Sequence, residues 1–342
     1  MRVTNKMISN RYLTDSTTNL NNMQSIINQL TTGKSINRPS DNPYKVARSM
    51  QLNTKINANT QYNENIKDTL NWLDTTDEAL GQAGNVLQRI RALMVSSGNA
   101  GYGSNERAAI SDEINERIAE LGQILNGNFD GKYVFGGTKT ASKPLSIDQD
   151  INGNTVLSFA DKEGNKILIN DQGEPVDVNG QLLIGDDYNN AKNQLGMMNS
   201  KFSTEISSSV IMEYNVTVTD LLMVKDSNGN NIDVMKLMTD IARNLNSATD
   251  NEKVLDENLG DLDSVITNML RFRSEVGAKQ NRMESAQSKN EDDSYNMTDI
   301  LSKTEDIDFA EKSIEFSTLQ TVYQAALQVS AQILPKTLLD YL

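Results

Sequence analysis

The run Asp148, Asp150, Asn152 and Gly153 is the first place where residue types and spacing could do chemistry. Side-chain oxygens on alternate residues followed by glycine match the opening of a calcium-binding loop. The closing position, which needs a bidentate Glu, holds Phe159, and no helices are expected on either side. The same residues also read as a hairpin turn. A second acidic run, Asp226 to Asp233, carries its Gly229 in the wrong slot and reads as a turn. The chain has no Cys and no His, so thiolate and imidazole metal ligands, disulfides and the usual nucleophile–base pairs are all missing. Gly98, Gly101 and Gly103 are not followed by Gly-Lys-Ser/Thr, so they mark a helix break, not a phosphate loop. No catalytic residue, cofactor or metal is expected, and the chain does not read as an enzyme.

The elements that would position any site are mostly helical. Leu13, Ser16, Leu20, Met23, Ile27 and Leu30 follow alternating spacings of four and three, the seam of a coiled coil near residues 13–32, with Gly33 as its stop. Asn42-Pro43 reads as N-cap and first turn of a long helix over about 44–97. In that helix Leu52, Asn59, Ile66, Leu73, Leu80, Leu87 and Met94 stand seven apart. Asn59, and Asn63 beside it, either fix register in the seam or sit on an exposed stretch. Ser104 is placed to cap a helix over about 105–126.

Residues 141–230 change character. Short apolar runs (156–159, 166–169, 181–184 and 209–219) lie between Gly/Asn/Asp turns, and Asn152-Gly153 and Asn179-Gly180 are hairpin signals. Helical pattern then returns. Ile232, Val234, Leu237, Met238, Ile241 and Leu245 form one stripe. Leu255, Leu262, Met269, Val276 and Met283 stand seven apart in a helix over about 252–298. A last helix, about 305–333, carries Phe309, Phe316, Leu319, Tyr323 and Ile333, with Pro335 ending it.

Each stripe needs a partner, and the two halves mirror one another in order, so they are expected to zip together. The fold class is therefore mainly α: a long antiparallel helical bundle or coiled-coil rod made by the N- and C-terminal halves, with a small β-rich insert. The divisions are 1–42 with 300–342 (terminal helices, marginal alone in water), 43–140 with 231–299 (bundle) and 141–230 (insert). Charge agrees with such pairing. Net charge is −14, yet residues 1–60 carry eight Lys/Arg against two acids and residues 281–342 carry five against eleven. Opposite ends would steer each other into register. The acidic total argues against nucleic acid as a partner. No apolar run is long enough to span a membrane, and the start lacks the apolar core of a secretory signal.

Several motifs in order resemble the flagellin superfamily, the axial proteins of bacterial flagella: the start Met1–Met7, LTTGKSINRPSDNPYKVARSMQL (30–52), LQRIRALMVSS (87–97) and NGNFDGKYVFGG (126–137). At the other end GAKQNRMES (277–285), the block 306–334 and the final LLDYL match its C-terminal pattern. Pro39 and Pro43 in RPSDNP are similar to the hook-associated branch more than to flagellins. The resemblance implies an extracellular structural part of the flagellum at the hook–filament junction, on which flagellin polymerises. The alternatives it leaves are a flagellin filament subunit and a secreted type III coiled-coil effector. It implies self-association into a ring or tube, contacts to the hook-side hook-associated protein and to flagellin, and export through the flagellar type III apparatus with a chaperone on the C-terminal helix. Expected assembly residues are Leu20, Met23, Ile27, Leu30, Phe309, Phe316, Leu319, Tyr323 and Ile333. Arg89, Ile90 and Leu93 are similar to a flagellin segment read by an innate immune receptor, and are expected as subunit or receptor-like surface.

Overall fold

A computed structural model describes residues 5–98, 103–170, 172–225, 229–246 and 257–333. Leu255, Pro335 and the last five residues therefore lie outside the described residues. The chain divides into two compact units, Met1–Gln61 with Glu291–Leu342, and Tyr62–Asn290. Helices α1 (Asn5–Thr32), α2 (Pro43–Ser97), α3 (Ser104–Leu125), α4 (Asp186–Met198), α5 (Val218–Leu222), α6 (Val234–Asn246), α7 (Glu257–Glu305) and α8 (Phe309–Ile333) carry most of the described residues. Among these residues no helix is long and apolar enough to cross a membrane.

The heptad reading of α2 holds along its length. Leu52, Asn59, Ile66, Leu73, Leu80, Leu87 and Met94 are all buried. The column on α7 is buried too, at Leu262, Met269, Val276 and Met283, and extends one step further to Asn290. Within Tyr62–Asn290, polar rungs fix the antiparallel register. Arg91 Nε donates to Asp263 at 2.6 Å, Arg273 forks onto Asp77 at 3.0 and 3.2 Å, and Gln280 donates to Asp74 at 2.8 Å. These pairs are partly exposed, so each contributes little to stability, and their value is in alignment. Asn42 caps α2 through the Lys45 N–H at 3.1 Å, as the Asn-Pro pair implied. Gly103, not Ser104, takes the cap position of α3; its N–H donates to the Glu106 carboxylate at 2.9 Å, because the helix starts one residue earlier than its Ser suggests.

The third layer is α3 with Ile114, Ile118, Leu121 and Leu125 buried, and α6, which buries Val234, Leu237, Met238, Ile241 and Leu245. Both pack on an antiparallel sheet of β3 (Leu145–Gln149), β4 (Thr155–Ala160), β5 (Lys166–Ile169) and β6 (Pro175–Val176). Gly122 allows the close approach: a Cβ there would meet Leu157 at 2.7 Å and Ile147 at 2.9 Å. Ahead of the sheet, β1 (Asn128–Phe129) and β2 (Lys132–Tyr133) form a tight hairpin. It carries Phe129 against Trp72, whose indole also meets Phe202 and Tyr214 edge-on at centroid distances of 6.0–6.3 Å.

The sheet is built from one turn used four times. At Asp150, Asp161, Asn170 and Asp177 the side-chain oxygen accepts the N–H groups two and four residues on. The same four backbones accept from Gly153, Gly164, Gly173 and Gly180, each of which sits at a φ between 78° and 91°. That left-handed conformation favours Gly, which closes a five-residue loop between strands. The Asp148–Gly153 run therefore is a hairpin. Both Asp150 oxygens are engaged with Asn152 and Asn154, and Asp148 lies 3.3 Å from Lys166.

Three expectations for the insert are corrected. Residues 181–184 form only an isolated bridge, Val176 to Leu182, because β6 offers two residues to pair with and Gly185 turns the chain away. Residues 209–219 are not one strand. They split into β8 (Val210–Glu213), paired with β7 (Ser203–Ser207), and α5. The Asn215 amide replaces the ladder, accepting from Phe202 N–H at 2.6 Å and donating to Ser200 at 3.1 Å, and Thr217 then caps α5. Helix α4 was not anticipated, since its Asp/Asn-rich sequence is a poor helix former and it buries only Ala191 and Met198. A two-stranded unit, β9 (Met223–Lys225) with β10 (Asn231–Asp233) antiparallel before α6, completes the described elements.

Trp72→Ala removes the centre of the aromatic cluster and should cost about 3–5 kcal/mol, read as a lower urea midpoint by circular dichroism. The turn acids give a second expectation. The Asn154 N–H holds Asp150 below the usual carboxylate range and the Gln181 N–H does the same for Asp177, each against an opposing burial effect. For Asp161 burial is the largest single influence and pulls upward, yet the hydrogen bonds from Asn165 and Glu163 outweigh it. Lowered carboxylates stabilise the fold above their unfolded pKa of about 4, and that stability is lost as pH falls through the lower folded values. Amide exchange at residues 152, 163 and 179 should therefore accelerate on acidification below about pH 4, whereas Gln172, held by the non-titrating Asn170, should not respond. Asp161→Asn should make residue 163 behave like Gln172.

Candidate assembly surface

The first unit contains the residues expected to drive assembly. Helices α1 and α8 pack antiparallel with a constant register: Tyr12 Oη donates to Ala326 at 3.0 Å, and one heptad on, Asn19 Nδ2 donates to Leu319 at 3.5 Å. The seam on α1 runs Tyr12, Ser16, Asn19, Met23, Ile26, Leu30 and Gly33, all half-buried except Ile26, which is buried at 4% exposure. On α8 it runs Lys312, Phe316, Leu319, Tyr323 and Ala326, all half-buried.

Ser16, Met23 and Leu30 belong to the seam expected on α1, whereas Tyr12, Asn19 and Ile26 take the place of Leu13, Leu20 and Ile27. The apolar column Leu13, Leu20 and Ile27 remains 57%, 43% and 44% exposed. The physical reason is that α1 has two adjacent stripes, and the one containing Tyr12 and Asn19 can also satisfy hydrogen bonds across the pair. Of the nine expected assembly residues, Met23, Leu30, Phe316, Leu319 and Tyr323 meet in the α1–α8 seam. Leu20, Ile27 and Phe309 face solvent. The Ile333 side chain lies outside the described residues. Beyond these, α8 exposes Ile314, Val322, Leu327 and Val329. A helix pair with a bare apolar column on each member has buried one stripe and kept a second.

The two ends of this pair are tied at the Gly33 turn. Gly33 at φ 72° ends α1, and its N–H bonds Gln29 at 2.8 Å. Its carbonyl then accepts from Ile307 at 3.1 Å, and the Lys34 ammonium pairs with the Glu305 carboxylate. Asp308 caps α8 through the Ala310 N–H at 2.8 Å, so that helix starts after a break at 306–308 and is separate from α7. Lys34 and Glu305 were not singled out from sequence; their signal is a lone cation beside a helix-stopping glycine, which is too common to be specific. Asn59 is buried in this unit and donates to the Ser294 hydroxyl at 2.9 Å, which decides for the register reading.

The expectation of a surface at Arg89, Ile90 and Leu93 is corrected. Ile90 and Leu93 are buried in the core of the second unit, because they widen the α2 stripe that packs on its neighbours. Arg89 is exposed and pairs with Glu113 at 2.7 Å. Among the described residues no group of three or more His, Cys, Asp or Glu is arranged to hold a metal ion. A cavity of about 900 Å³ lies between the sheet and α4, and its lining mixes Lys139, Asp161, Lys166 and Asp187 without a nucleophile–base pair. Burial lowers the Lys139 pKa, and its ammonium donates to the Ala160 and Lys143 carbonyls at 2.7 and 2.9 Å, as a strut.

Comparison with known proteins agrees with this architecture. The model of the bacterial flagellin N-terminal helical region matches residues 3–140, and that of the bacterial flagellin C-terminal helical region matches residues 259–342. A flagellin of Clostridium tyrobutyricum is 24% identical over 97% of this chain and 98% of its own. Flagellar hook-associated protein 3 of Escherichia coli K12 is 24% identical over 87% of this chain and 86% of its own. Among solved structures, a flagellar hook-associated protein of Vibrio parahaemolyticus aligns with a TM-score of 0.58 at 17% identity, covering 78% of this chain and all of that one. Hook-associated protein 3 of Legionella pneumophila aligns at 0.55 and 15% identity, covering 74% and 98%. With the two helical-region models accounting for both ends, the paired helices and the buried heptad columns between them, the chain belongs to the bacterial flagellin family.

Proposed function

We propose that the protein is a structural component of the bacterial flagellum, the junction between hook and filament on which flagellin polymerises. The observation that carries the self-assembly part is the bare apolar column Leu13, Leu20 and Ile27 on a helix whose other stripe is already paired. Such a face is covered when further copies pack around it. An open tube or ring follows from contacts that are unlike on the two sides of each copy. The likeness to hook-associated protein 3, over nearly the full length of both chains, supports the junction as the location.

In this reading residues 1–42 and 300–342 line the inside of the assembly, 43–140 and 231–299 form the bundle around it, and 141–230 faces outward. The partners are other copies, the hook-side hook-associated protein and flagellin. Before assembly the apolar face of α8 is covered by an export chaperone, and the chain travels through the flagellar type III apparatus to an extracellular position. The reading assigns no catalysis. A second reading, the filament subunit itself, is favoured by one observation: the Clostridium flagellin aligns end to end with this chain.

Immunogold microscopy of intact flagella with an antibody to residues 141–230 separates them. Label in a narrow band between hook and filament supports the junction, label along the filament assigns a flagellin, and unlabelled flagella sink both. A mutational prediction tests the surface. Leu20→Glu with Ile27→Glu should leave the helicity of the dilute monomer unchanged, because both residues are exposed there, and should abolish sedimentable assemblies. Assembly at the wild-type concentration would remove the column from the interface.

A further inference from the structure

The first unit carries a charge separation that its own fold does not use. Residues 34–61 hold five cations against one acid, and residues 291–315 hold nine acids against two cations. The two segments belong to the same unit, so in-copy pairing would be the simple outcome. Lys34 pairs across, to Glu305. Lys303 and Lys312 are taken by Asp299 and Glu315 on their own helices. Arg38, Lys45, Arg48 and Lys55 are exposed and enter no ion pair among the described residues. Asp292 and Asp293 are likewise exposed on α7; Asp299, seven residues beyond Asp292 and paired with Lys303, and Asp306, just past the end of the helix, continue the acidic run.

The heptad geometry explains why the two stripes miss each other. Arg48 and Lys55, also seven apart, flank the buried positions Ser49, Leu52 and Asn59. Asp292 and Asp299 stand on the side of α7 away from the column that contains Asn290. Each stripe is exposed to water on its own face, and a neighbouring copy presents the opposite sign to it.

We infer that copies of this chain dock side by side with the basic stripe Arg38–Lys45–Arg48–Lys55 of one against the acidic stripe Asp292–Asp293–Asp299 of the next. The occupant is a second copy because each chain carries both halves of the match, and because the contact is unlike on its two sides it repeats without closing on a dimer. This contact deepens the self-assembly reading above and rests on it. It is distinct from the apolar column on α1, and it gives the assembly its register and its dependence on salt, since exposed charges are screened within about 10 Å at 0.1 M salt.

The test uses the full-length chain, with the critical concentration for assembly read by sedimentation and circular dichroism as the folding control. Arg48→Glu with Lys55→Glu, and separately Asp292→Lys with Asp293→Lys, should each raise the critical concentration by about tenfold or more. The four substitutions together should bring it back toward wild type, because the match is inverted, not removed. The chain has no Cys, so mixed assemblies of a Lys55→Cys chain and an Asp292→Cys chain should also form a disulfide between copies on oxidation. Reversed variants that assemble like wild type, or a fourfold variant that stays defective, overturn the stripe contact and leave self-assembly standing. Defective variants without the disulfide assign the stripes to an unlike partner and overturn it as well. A wild-type chain that forms no assemblies at any concentration overturns the self-assembly reading and this contact together.

Discussion

Every part of this molecule depends on one constraint: a single apolar stripe on a helix cannot be buried by its own neighbours in sequence. The α2 column from Ile66 to Met94 and the α7 column from Leu262 to Asn290 are each useless alone. They become a core only when the chain doubles back and lays one against the other. The polar rungs Arg91–Asp263, Arg273–Asp77 and Gln280–Asp74 then act as alignment marks on the outside of that core. The same rule governs α1 and α8, which share a seam at Tyr12, Met23 and Ile26 and whose remaining stripe has no counterpart among the described residues.

That difference separates scaffold from working surface. Where a third layer exists, as α3 and α6 supply in the second unit, the wide stripe containing Ile90 and Leu93 vanishes into the core. Where only two helices meet, half of each apolar surface stays in water. The free energy of covering it is then available to association between molecules.

The long elements were legible from residue spacing because a heptad repeated over five or more turns is a strong signal, and the nested order of the halves followed from their mutual need. Two things were not. On α1 the columns Leu13–Leu20–Ile27 and Tyr12–Asn19–Ile26 differ by one position, and apolarity alone favours the first. The decision is made by Tyr12 and Asn19 bonding to backbone carbonyls on α8, a tertiary fact with no local trace. In the insert, strand propensity marked Val210 to Thr219 as continuous, whereas Asn215 breaks it by bonding across to residues 200 and 202. The turns were half-visible: Asn152-Gly153 and Asn179-Gly180 announced themselves, but Asp161 and Asn170, which build the same loop without an Asn-Gly pair, did not.

The recurrence of that loop has a kinetic meaning. Each of the four turns closes with hydrogen bonds between residues at most four apart, so the meander can assemble one hairpin at a time as soon as its segment is free. The pairing of α1 with α8 instead joins residues 314 positions apart. Loop-closure entropy grows only slowly with length, but contacts of high sequence separation are the slow ones to form. Contact order therefore favours closing the local hairpins before the two ends meet. A chain threaded into place one end first would reach its site with its centre ready to fold and its termini still able to choose between each other and their neighbours.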